Sequence, residues 1–92
     1  MATLMEYDTL RELYSSAMAT LTRLEMQPGI DAAQFKEAEN NFVQVWLNEV
    51  KRKDLEAIDY QAAAQKMKDA AKPWTTISDE FFKKVINGNR TI

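Results

Sequence analysis

The stretch Asp31-Ala32-Ala33-Gln34-Phe35-Lys36-Glu37-Ala38-Glu39-Asn40-Asn41-Phe42-Val43-Gln44-Val45-Trp46-Leu47-Asn48-Glu49-Val50-Lys51-Arg52-Lys53 decides the fold class. Asp31 is a helix-capping residue with a glutamine three positions on, and Ile30 and Phe35 stand at the two positions of a hydrophobic staple. From there Phe35, Ala38, Phe42, Val43, Val45, Trp46, Leu47 and Val50 recur at helical spacing and sweep roughly 200° of the helical wheel. That arc is wider than one packing seam requires. The helix is therefore either central to its own bundle or covers a partner chain as well. Lys51-Arg52-Lys53 complements the negative pole of the helix dipole at its end.

Upstream, Leu10, Leu13, Tyr14, Ala17, Leu21 and Leu24 form one helical arc. Thr9 and Glu12 read as a capping box, and Thr3 and Glu6 repeat the pattern, so the helix starts at either place. Pro28-Gly29 ends it. Downstream, Asp54 or Asp59 caps a third helix that Pro73 should stop after Lys72, with Tyr60, Ala63, Ala64, Met67, Ala70 and Ala71 as a face of small residues. Neither glycine nor proline separates helices two and three, so one bent helix over 32–72 is the alternative to a break. Trp74-Thr75-Thr76 reads as a loop into a last helix with Ser78 as its cap, Ile77 and Phe82 as a second staple, and Gly88 as its left-handed C-cap.

These elements predict an all-α bundle of three to four helices over about 4/9–26, 32–53, 55/60–72 and 79–87, with 1–92 a single domain and 89–92 a frayed tail. Composition agrees: of 92 residues, 46% are hydrophobic and 28% charged, and only two glycines and two prolines punctuate the chain, which disfavours a turn-rich β fold.

The same composition excludes chemistry. With no cysteine there is no disulfide, thiolate nucleophile or cysteine metal site, and with no histidine the commonest general base and zinc ligand are missing. Two isolated glycines cannot build a phosphate loop or a nucleophile elbow, and Ser15, Ser16 and Ser78 have no histidine to activate them. Glu37 with Glu39, or Asp54, Glu56 and Asp59, are carboxylates on solvated helix faces without the spacing of an acid/base pair or a calcium loop. An enzyme is not expected, nor a cofactor or bound metal. The longest run of large apolar residues, Val45-Trp46-Leu47, is far too short to cross a bilayer, and no basic residue precedes Arg11 as a secretory signal would require. A cytoplasmic location is expected, and Asn89-Arg90-Thr91 is then a chance glycosylation match.

Charge divides along the chain: residues 1–59 hold six basic and eleven acidic side chains, net −5, and residues 60–92 hold six basic and three acidic, net +3. The overall balance of −2 disfavours a nucleic-acid domain, although Lys66, Lys68, Lys72, Lys83, Lys84 and Arg90 gather in the positive third. Val43 to Lys53 resembles a homeodomain recognition helix over eleven residues. The likeness fails where that family reads adenine with an asparagine, because this chain has Glu49 there, and Pro28-Gly29 falls inside the family's second helix.

The apolar surplus is the remaining signal. Adjacent Phe81 and Phe82 cannot both face one core, and Trp74 follows a proline in an expected loop, where core packing at the helix junction is its favoured reading and partner contact the alternative. The sequence therefore predicts a small protein-binding module, an adaptor, assembly chaperone or inhibitor of the kind common in phage and mobile elements. Its partner-facing residues would be Trp74, Phe81, Phe82, Val43, Leu47 and Val50. Self-association through helix two or the termini is the alternative, and nucleic-acid binding by the basic C-terminal third a weaker one.

Overall fold

Three helices, α1 (Leu4–Glu25), α2 (Lys36–Trp46) and α3 (Tyr60–Arg90), make up the computed structural model, which describes residues 2–90 and the side chains through Lys83. Among these residues there is no strand. Of the two capping boxes in the sequence, the first opens α1: the Glu6 amide donates to Thr3 Oγ1 at 3.0 Å and the Thr3 amide to Glu6 Oε1 at 2.9 Å. Thr9 is inside the helix, its hydroxyl donating to the Met5 carbonyl. The earlier start also seats Ala2, which is buried and donates its amide to the Leu55 carbonyl at 3.0 Å.

Past the end of α1, Pro28 and Gly29 stand at the central positions of a turn closed by the Ile30 amide donating to the Gln27 carbonyl. Gly29 has φ +86°, which the third position of a type II turn demands. Asp31 caps as expected, but it accepts from Ala33 rather than forming the full box with Gln34, because the first turn (Ala32–Phe35) is a 3-10 turn. After Trp46 the helix widens into a π-turn (Leu47–Lys51), closed by the Arg52 amide donating to the Leu47 carbonyl at 2.9 Å.

Helices two and three are separate. Asp54 leads a 3-10 turn (Leu55–Ala57), Ile58 is extended and buried, and Asp59 Oδ1 accepts from the Ala62 amide at 3.2 Å to open α3. Two aspartates and a buried isoleucine do here what glycine or proline does elsewhere.

The expected stop at Pro73 does not occur. α3 is 31 residues long and runs through it, so the third and fourth expected helices are one element. Trp74 is helical rather than in a loop, Ser78 is a buried interior residue rather than a cap, and the helix passes through Gly88. An interior proline costs about 3 kcal/mol, since it has no N–H for the carbonyl four residues back and its ring crowds that group. Two features offset this. Pro73 and Asp69 are exposed, so water reaches the unpaired carbonyl, and the buried stripe Ala63, Met67, Ala70, Ala71, Trp74 and Ser78 continues through residue 73 in unbroken register. Of the expected frayed tail, Asn89 and Arg90 are helical, and residues 91 and 92 lie outside the described chain.

Trp74 lies level with Ala17 and Phe82 level with Arg23, so α1 and α3 are parallel. Tyr7 and Tyr14 meet Trp46 and Phe42 in reverse order, so α2 is antiparallel to α1. The alanines of α3 let it pack closely on both other helices, whereas α1 and α2 meet through stacked aromatic rings. At about 1.5 Å per residue α3 is some two turns longer than the bundle it serves. The radius of gyration, 15.3 Å, correspondingly exceeds the roughly 12 Å of a compact chain of this length.

Candidate protein interface

The core is aromatic at its centre. Tyr14 stacks on Trp46 at 4.8 Å and on Phe42 at 5.5 Å, and Phe42 meets the edge of Trp74 at 5.3 Å. Trp74 is fully buried, and its indole Nε1 donates to the Ala17 carbonyl at 2.9 Å. Val50 is fully buried too. Both were expected to face a partner and neither has surface to offer, because the uninterrupted α3 turns Trp74 inward and the last turns of α2 point Val50 at the core.

The other four expected residues fall on two separate surfaces. Val43 and Leu47 are half-buried on the flank of α2 nearer α1. Phe81 and Phe82 lie at the far end of the bundle, edge to face at 5.1 Å. Phe81 packs against the core, and Phe82, one residue on, is turned toward α1, as adjacent helical positions require. There the Arg23 guanidinium lies over its ring, 4.3 Å from the centroid, a cation–π contact worth about 0.5–1 kcal/mol at an exposed site.

Arg23 was not legible as a site residue, because nothing in the sequence places position 23 beside position 82. It also borders a surface cleft with Ser16, Ala19 and Thr20. These residues, at helical spacings of three and four, form the flank of α1 that borders α3. The Thr20 hydroxyl is folded back onto the Ser16 carbonyl, and of the residues lining the cleft Arg23 is the one that reaches the Phe82 ring.

At the opposite end, Glu49 of the π-turn accepts from Lys66 of α3 at 3.0 Å and pairs with Lys53 at 3.5 Å. The Lys66 hydrogen bond, more than anything else around it, holds the Glu49 carboxyl below its ordinary range. Lys66 is thus committed to an interhelical pair, while Lys68, Lys72 and Lys83 are exposed. No group of three or more carboxylates that could hold a metal ion occurs among the described residues, and no helix there is long and apolar enough to cross a membrane. Comparison with known proteins returns no match: no family model fits the chain, and no curated protein or solved structure resembles it closely enough to count as related.

Proposed function

We propose that this chain is a small non-enzymatic protein-binding module, an adaptor, assembly chaperone or inhibitor, that acts by occupying a partner's surface through the end of the bundle where Phe82 of α3 meets Arg23 of α1. The observation that supports this reading is Phe82, a half-buried ring held between Phe81 and the Arg23 guanidinium. Aromatic and arginine side chains are over-represented among the residues that carry binding energy at interfaces. A ring and guanidinium already fixed against each other lose little freedom when a partner covers them.

The test is recovery of a partner on the immobilised full chain, compared with Phe82→Ala and Arg23→Ala. Phe82→Ala should weaken a captured partner at least tenfold, and Arg23→Ala, an exposed change that spares the fold, should weaken it several-fold. A partner retained equally by both variants would remove the Arg23–Phe82 end from the interface. Capture of oligonucleotides in a steeply salt-dependent manner, lost on substituting Lys68 and Lys72, would favour nucleic-acid binding instead.

A further inference from the structure

The flank of α1 that borders α2 bears a second apolar surface, independent of the Arg23–Phe82 end. Leu4 is 71% exposed, and Tyr7, Tyr14 and Met18 are half-buried. With Arg11 they occupy positions 4, 7, 11, 14 and 18, steps of three and four that form one stripe. Val43 and Leu47 continue it onto α2, where the wide aromatic seam leaves them half-covered.

The stripe reads the same in both directions: an aliphatic end, a tyrosine, an arginine, a tyrosine, an aliphatic end. A two-fold axis through Arg11 would lay α1 antiparallel on its own copy, setting Leu4 against Met18 of the other chain at each end, beside the half-buried tyrosines whose rings pack on α2. Self-complementarity of this kind is what an isologous contact requires. The charges agree with it. Arg11 pairs with Asp8 at 3.4 Å, both side chains more than 60% exposed, so at the axis each arginine would lie between two aspartates, its own and its neighbour's.

We infer that a second copy of this chain covers the α1–α2 face, forming a two-fold dimer centred on Arg11. Arg23 lies on the opposite flank of α1, so the dimer leaves its contact with Phe82 of α3 uncovered in both chains.

Sedimentation equilibrium of the full chain over a range of concentrations tests this. The wild type should be dimeric. Leu4→Glu, an exposed change that spares the core, and Arg11→Asp, which gathers four acidic groups at the axis, should each raise the dissociation constant tenfold or more. Asp8→Arg combined with Arg11→Asp restores alternating charge and should restore the dimer. Circular dichroism on each variant separates dissociation from unfolding. A wild type that stays monomeric at the highest concentration overturns the inference, as does a dimer indifferent to Leu4→Glu and Arg11→Asp, or one dissociated by Phe82→Ala.

Discussion

The indole N–H of Trp74 on α3 donates to the main-chain carbonyl of Ala17 on α1 at 2.9 Å, with the indole edge-on to Phe42 of α2. One side chain thus joins all three helices at the centre of the molecule. Trp74→Phe keeps most of the volume and loses the donor, and should cost about 1–2 kcal/mol. Trp74→Ala should cost about 3–5 kcal/mol, a large share of the roughly 5–15 kcal/mol a domain has. Urea unfolding followed by circular dichroism measures both. A Trp74→Ala variant of wild-type stability would contradict the burial, and partner binding is the wrong readout for this residue.

Pro73 interrupts the hydrogen bonding of a helix that the buried stripe nevertheless carries past it. Pro73→Ala supplies an N–H to the Asp69 carbonyl and removes the ring that crowds it. Against that, the unfolded chain regains some freedom, so the expected net gain is about 1–3 kcal/mol. Thermal melting should show a higher midpoint. An unchanged or lower midpoint would mean that the helix does not continue through residue 73.

The two threonines that precede glutamates by three positions are not equivalent. Thr3→Ala removes the acceptor of the Glu6 amide and should cost about 1 kcal/mol. Thr9→Ala removes only a hydroxyl bonded back to Met5 and should change stability by less than about 0.5 kcal/mol. Equal losses in the two variants would place the start of α1 elsewhere.

Glu49 ties the π-turn to α3, and its folded-state proton affinity is lowered chiefly by the Lys66 hydrogen bond. The unfolded chain binds that proton more readily. The contribution is therefore complete above the ordinary glutamate range and is lost as pH falls through the lowered folded value. Because the pair is largely solvated, Glu49→Gln should cost a few tenths to about 1 kcal/mol at neutral pH. The gap between wild type and variant should close in acid. A gap that persists in acid would show that the carboxylate charge is not what matters.

How much of this was legible in the sequence differs from element to element. The Thr3 and Asp31 caps, the turn at Pro28-Gly29 and the break before Asp59 rest on local hydrogen-bonding chemistry, which residue types disclose. Pro73 misled because a local rule was applied where tertiary packing decides: Ala63, Met67, Ala70, Trp74, Ile77 and Phe81 keep one helical phase across it, and that phase was the better signal. A loop there also left Trp74 open to a partner, whereas core packing, its favoured reading, is what the continuous helix gives. The π-turn has no sequence signature, and the meeting of Arg23 with Phe82 depends on the parallel alignment of α1 and α3, which only the assembled bundle fixes.

That alignment also sets the order in which the molecule is built. α2 and α3 follow each other in sequence and pack closely, with Phe42 edge-on to Trp74, so their pairing closes a short connection at small entropic cost. Docking α1 on that pair brings Ala17 to Trp74, 57 residues later, and is the costlier closure. The α2–α3 pair is thus the expected nucleus and α1 the late arrival, so Phe42→Leu should chiefly slow refolding and Leu10→Ala chiefly hasten unfolding.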